Sequence, residues 1–181
     1  MSKWDRVHEN AKVPLPYGER TTYYMGAAYL GNLQSVEDWG CGLGYFATIL
    51  PDPSRCVGID GSHSPFADRI EDLRTYRPAV APEGIFMRHV LEHNEQWRDI
   101  LANALLIFQK RMVLVLFTPY SEATHIMAWT EIAPGITIPD HSFERAELVH
   151  LLGPLRVRDE TLATKTQYGV EHVYYLSKEH F

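Results

Sequence analysis

Asp38, Asp60 and Asp72 are the residues in this sequence best placed to do chemistry. Each follows a short run that reads as strand, and a glycine turn, Gly40-x-Gly42-x-Gly44, stands between the first two. A dinucleotide loop that cradles a pyrophosphate is expected to read G-x-G-x-x-G. This spacing differs, and the acid two residues ahead of it would repel a pyrophosphate. Negative charge at that point suits a ligand that carries positive charge. The glycines let the backbone approach such a ligand with no Cβ in the way.

Asp60 lies 22 positions after Asp38, where a carboxylate can accept hydrogen bonds from both hydroxyls of a ribose. Asp72 comes 12 positions later and could take an adenine amino group, with Leu73 packed on the ring. A cationic nucleoside with these parts is S-adenosylmethionine, through its α-amino group and sulfonium. A glycine-rich turn is ordinarily only a tight connection, and acids at strand ends are commonly solvated. The three acids together, in order on consecutive strand ends, carry the reading.

The elements that must position these residues follow from pattern. Thr21 to Leu33 has Tyr24, Ala27, Ala28 and Leu30 at roughly helical spacing. Val36 to Trp39 is a short strand, and Tyr45 to Leu50 a helix that Pro51 and Pro53 end. Cys56 to Asp60 is an apolar run closing on an acid, which predicts a buried strand. Ala67 to Leu73 reads as a helix by propensity or as a third strand ending at Asp72. The strand is preferred because it supplies the next βαβ position, and it cuts the preceding crossover to the loop Gly61 to Phe66, with no helix in it. Gly84 to Arg88 is a further strand and Asn94 to Lys110 an amphipathic helix with Trp97, Ile100, Leu101, Ala104, Leu105 and Phe108 on one side. Met112 to Phe117 is the most apolar run and reads as a central strand. Thr118 to Asp140 shows no sustained period and is expected to be loop, of the kind that carries specificity. Phe143 to Leu152 is a helix, with Ser142 as its N-cap, and Leu155 to Thr161 with His172 to Leu176 form an antiparallel edge pair. The first 16 residues, with Pro14 and Pro16, read as an arm or lid.

A chain of 181 residues fits one domain, 1–181, with residues 1–33 as an arm and helix able to cap the site. The net charge of −6 gives no overall attraction to phosphate backbones, so nucleic acid is not the expected partner. Cys41 and Cys56 lack metal-ligand spacing and suit a reducing compartment, so the expected location is cytoplasmic. No stretch is long and apolar enough for a membrane span, and no signal-peptide pattern opens the chain.

Glu37-Asp38-Trp39-Gly40-Cys41-Gly42-Leu43-Gly44, then Val57-Gly58-Ile59-Asp60, then His89-Val90-Leu91-Glu92-His93 resemble the class I S-adenosylmethionine-dependent methyltransferases. The likeness is greatest to the methyltransferase-domain group with a "vLEH" segment after the fourth strand, and it runs from about Val36 to Phe117. It implies an α/β Rossmann-like three-layer sandwich: a seven-stranded, mostly parallel sheet with the last strand antiparallel. It also implies roles. Gly40, Cys41 and Gly42 would face the methionine moiety, with Asp38 at its amino group. Asp60 and Gly61 would hold the ribose, and Asp72 and Leu73 the adenine. Arg88 and His89 would line the floor beside the methyl-bearing sulfur. S-adenosylhomocysteine would be the product.

Methyl transfer from a sulfonium needs alignment and exclusion of water, and a general base only for a poor nucleophile. His89, at a strand's C-terminal end, and His141, ahead of the Phe143 helix, are the candidates. His89 and His93 lack a third ligand, so no metal is assigned. The resemblance places Glu92 and His93 in the family's structural turn, where they are expected to hydrogen-bond the backbone. Phe117-Thr118-Pro119-Tyr120 lacks the leading Asp or Asn of nucleic-acid amino methylation, and no Pro-Cys pair is present for attack on a pyrimidine. The acceptor expected is therefore a small molecule, through O or N. An RNA- or protein-directed enzyme and a non-catalytic partner subunit are the competing readings.

Overall fold

The computed structural model describes residues 3–8 and 11–179. Residues 1, 2, 9 and 10, part of the expected arm, lie outside the described residues. The strands are β1 (Val36–Trp39), β2 (Cys56–Asp60), β3 (Arg69–Ile70), β4 (Gly84–Arg88), β5 (Arg111–Leu116), β6 (His125–Ala133), β7 (Ile136–Ser142), β8 (Arg156–Ala163) and β9 (Val170–Ser177). The helices are α1 (Asp5–His8), α2 (Thr21–Leu30), α3 (Tyr45–Ile49), α4 (Trp97–Ile107) and α5 (Arg145–Leu152). Seven strands form one sheet in the order β3-β2-β1-β4-β5-β9-β8. β1 to β5 pair in parallel, and β9 runs antiparallel between β5 and β8.

The period-2 alternation of a strand explains the two-sided core. On β5, Val113 and Val115 face a cluster with Tyr23, Ala27, Leu30, Phe46 and Phe86. Met112, Leu114 and Leu116 face the other, larger cluster, with Trp97, Ile100, Leu101, Ala104, Leu148 and Leu152. Helices α2 and α3 thus cover one face of the sheet, and α4 and α5 the other. The three layers and the single antiparallel strand are as expected, as is the loop in place of a helix between β2 and β3.

Several local expectations are corrected. α2 stops at Leu30, before Gly31, and it buries Tyr23, Ala27 and Leu30, while Tyr24 and Ala28 face outward. The third strand shrinks to Arg69–Ile70, because Asp68 folds back to accept the Gly58 amide (2.7 Å) and Asp72 opens a turn closed by Thr75 and Tyr76 amides. Asp72 therefore stands two residues beyond the strand rather than at its end. The segment from Thr118 to Asp140 is not all loop, since β6 and β7 form a two-stranded sheet of their own. Ser142 belongs to β7 and donates to the Pro119 carbonyl, so it caps no helix; Glu144 holds that position. Of the final pair only β8 is an edge, since β9 is paired on both sides.

Candidate active site

The strand ends of β1, β2 and β4 open into one cavity of about 820 Å³, within the range of small-molecule sites. Asp38, Gly40, Cys41, Gly42, Asp60, Gly61, Asp72, Leu73, Arg88 and His89 all line it. His141 does not. Its Nδ1 instead bonds the Glu92 carbonyl at 2.8 Å, and its own carbonyl accepts from Thr118.

The glycine turn takes its shape from three left-handed backbones, with φ of 73°, 51° and 69° at Gly40, Gly42 and Gly44. A Cβ at Gly40 would stand 2.3 Å from Val90 Cγ2, and one at Gly42 2.9 Å from Tyr17 Cε2. The turn therefore presents bare backbone to the cavity, and Val90 and Tyr17 close around it. Asp60 is fixed beneath it: Oδ2 accepts from the Gly42 amide (2.9 Å), and Oδ1 from the Ser62 amide (2.8 Å) and hydroxyl (2.6 Å).

Asp38 is buried at the cavity wall and makes no hydrogen bond among the described residues. Burial, and then the charge of Asp60, push its carboxyl up to about 8, against a smaller opposing pull from Arg88. An unsatisfied buried carboxyl beside a cradle of bare backbone fits a cationic α-amino group. Asp72 is differently placed. It is exposed and already engaged with the Arg74 guanidinium (2.5 and 2.9 Å), which holds its carboxyl below the usual range. Cys41, with its thiol pushed up by burial, is not poised as a nucleophile.

Beside Arg88 and His89 lies a charged cluster around Glu171 on β9. Its Oε1 accepts from Arg88 Nη2 (2.8 Å), Thr22 Oγ1 (3.0 Å) and His89 Nε2 (2.8 Å). Burial works to raise the Glu171 carboxyl, but the bond from His89 and the charge of Arg88 outweigh it, so it is ionised and can only accept. The Nε2 of His89 therefore carries the proton and Nδ1 is left open. Burial and the Arg88 charge lower His89 to about 3, so the ring is neutral at physiological pH. Its φ of 57° is the left-handed one among the described non-glycine residues, and it turns the side chain from the strand's end into the cavity.

The other half of the cavity is walled by Phe117 after β5, by Thr130, Ile132 and Ile138 of the β6–β7 hairpin, and by Lys165 to Gln167 between β8 and β9. The arm forms a roof. Trp4 packs on His93 (5.3 Å), and His8 bonds Ser62 Oγ (3.0 Å) and Tyr17 OH (2.9 Å). Glu92, beside it in sequence, points away and accepts the Phe117 amide at 2.6 Å. Of the arginines near the third strand, Arg69 is bound to Tyr76, Arg74 to Asp72 and Arg77 to Asn103.

No family model matches the sequence, and no curated protein matches it. Solved structures do match. The 1,6-didemethyltoxoflavin-N1-methyltransferase of Burkholderia thailandensis, with 1,6-didemethyltoxoflavin and S-adenosylhomocysteine bound, superposes with a TM-score of 0.71 at 16% identity, over 89% of this chain and 78% of that one. The fold is that of the class I methyltransferases. Magnesium protoporphyrin IX methyltransferase from Synechocystis PCC 6803, with S-adenosylhomocysteine, gives 0.64 at 17% identity over 98% and 93% of the two chains. The N-methyltransferase NodS from Bradyrhizobium japonicum WM9 gives 0.66 at 12% identity over 98% and 100%. His93 lines the cavity and Glu171 holds Arg88 and His89 from behind, and reading the sequence assigned neither to the site. Among the described residues no His, Cys, Asp and Glu cluster could hold a metal, and no helix is long and apolar enough to cross a membrane.

Proposed function

We propose that the protein is an S-adenosylmethionine-dependent methyltransferase that moves a methyl group to O or N of a small-molecule acceptor. The observation that carries this reading is the convergence of Asp38, Asp60, Asp72 and the Gly40–Gly42 backbone on one cavity. In this reading Asp38 holds the α-amino group, and Gly40, Cys41 and Gly42 leave room for the methionine moiety. Asp60 with Gly61 takes the ribose, Asp72 and Leu73 the adenine, and Arg88 the floor below. When bound, the cofactor supplies an electrophilic methyl on a sulfonium. His89 then serves as a neutral hydrogen-bond acceptor that orients the nucleophile, since a ring lowered to about 3 is a weak proton carrier. His141 acts at one remove, by fixing the turn that carries Glu92. The described residues of the N-terminal arm and α2 cap the site and keep water out.

Calorimetry with S-adenosylmethionine and S-adenosylhomocysteine tests the reading. Both are expected to bind to the wild-type protein. Asp60→Ala is expected to weaken binding by about 10- to 100-fold, the cost of lost hydrogen bonds to a charged group. Asp72→Ala is expected to weaken it by only about threefold, since its carboxylate is exposed and paired. Binding of neither compound would refute the proposal. Methyl label passing from the cofactor into the low-mass fraction of a cell extract separates an enzyme from a non-catalytic subunit.

A further inference from the structure

His93 lies in the acceptor half of the cavity with its ring between Trp4 and Phe117, at 5.3 Å from each. Its Nδ1 faces two acceptors on β7, the Pro139 carbonyl at 3.1 Å and Asp140 Oδ1 at 3.1 Å. Both can only accept, so Nδ1 bears the proton and Nε2 is the basic nitrogen. Asp140 is fully buried and anchored through Oδ2 by Thr130 Oγ1 (2.6 Å) and Tyr168 OH (2.6 Å). Its Oδ1, 3.1 Å from His93 Nδ1, has no other polar partner among the described residues, which leaves it as the counter-charge for a protonated ring. A base fixed by a buried carboxylate is the arrangement that proton abstraction requires.

The lining selects what can lie there. Its acids are Asp38, Asp60 and Asp72, all at the donor end, so the acceptor half offers no carboxylate to a cationic amine. Trp4, Phe117, Ile132 and Ile138 give it an apolar, partly aromatic wall on which a flat ring can pack, beside the polar Thr130 and Lys165 to Gln167. A flat ring with one acidic hydroxyl satisfies both constraints, and its acidity is within reach of an imidazole, unlike that of an alkyl alcohol.

We propose that the acceptor is an aryl hydroxyl compound and that His93 Nε2 takes its proton, with Asp140 as the positioning residue. This rests on the function proposed above. The aryl oxygen bonds the methyl carbon as the carbon–sulfur bond breaks, and that electron pair returns to sulfur. The hydroxyl proton passes to Nε2, giving an imidazolium opposite the Asp140 carboxylate, and leaves to solvent with the product.

The probe is 4-nitrophenol, whose phenolate is coloured, titrated into the protein with and without S-adenosylhomocysteine. Saturable binding with growth of the phenolate band is expected, and benzylamine is expected not to compete. His93→Phe should weaken binding at least tenfold and abolish the band. His93→Gln keeps an acceptor near Nε2 and should bind within a few-fold, again without the band. Circular dichroism and melting confirm that each variant is folded. Nitrogen NMR should find His93 as the Nδ1–H tautomer, a preference that Asp140→Asn should weaken. The other titratable groups around the ring are Glu92 and His89 on the β4 side, Tyr168 on Asp140, and His8 behind Trp4. No nitrophenol binding, equal binding by His93→Phe, or the Nε2–H tautomer would each overturn the proposal. Failure of S-adenosylhomocysteine alone to bind would strike the cofactor reading instead, and the nitrophenol titration without it still decides the role of His93.

Discussion

His89 Nε2 and Glu171 Oε1 lie 2.8 Å apart although 82 residues separate them in the chain. The bond ties the turn after β4 to the start of β9, and the same carboxylate oxygen also receives Arg88 and Thr22. Glu171→Ala would leave the Arg88 guanidinium buried without its counter-charge. Urea denaturation is expected to show a loss of about 3–5 kcal/mol. Glu171→Gln, which can still accept one bond, is expected to lose less. An unchanged midpoint for the alanine variant would mean the cluster does not hold these elements together.

Affinity for S-adenosylmethionine should depend on pH through Asp38. Its carboxyl is held up to about 8, and a cationic amino group binds only the ionised form. Binding below that pH must expel a proton. The affinity is therefore expected to rise by up to about tenfold per pH unit approaching pH 8 and then to level off. Calorimetry in two buffers of different ionisation enthalpy would count the released proton, and Asp38→Asn should release none.

Stability should fall between about pH 6.5 and 8. The folded protein holds protons on Asp38 up to about 8 and on Glu92 up to about 7, both raised by burial, which the unfolded chain has already lost. Those two groups lose stability as pH rises through their windows. His89 and His172, lowered to about 3 and about 4 by burial, act oppositely, but only up to the ordinary histidine value of 6.5. Above that the carboxyls act alone. A lower melting temperature at pH 8 than at pH 6.5 is expected, and Asp38→Asn with Glu92→Gln should flatten the drop.

The two glycines of the turn should fail differently when changed to alanine. At Gly40 the added Cβ meets Val90 at 2.3 Å with φ at 73°, so the fold itself should weaken, by at least the roughly 1–3 kcal/mol of a left-handed non-glycine residue. At Gly42 the neighbour is the Tyr17 ring of the arm, 2.9 Å away, which can swing aside. Gly42→Ala should therefore melt closer to wild type and reveal its defect in cofactor titrations.

The donor side was legible in the sequence because its signals are local. The strand β1, its glycine turn and Asp60 lie within 25 residues, and the apolar run of β5 stands out by composition alone. Glu171 could not be found that way, because its partners Thr22, Arg88 and His89 are brought to it only by the insertion of β9 beside β5. His93 was read as a structural residue of its turn, for its link to Asp140 depends on the hairpin β6–β7. That hairpin is masked in the sequence because its outer residues mix exposed apolar and polar side chains and Pro139 interrupts β7. Pro134-Gly135, flanked by Thr130, Ile132, Ile136 and Ile138, was the turn signal that would have found it.

The hairpin shares no backbone ladder with the seven-stranded sheet. It enters after Leu116 and returns before Arg145, so it can be treated as a cassette. In the function proposed above, exchange of residues 125–142 would re-address the protein to a different acceptor while the acids and glycines assigned to the donor stay in place. Selectivity and donor grip could then diversify at separate rates, each on its own part of the chain.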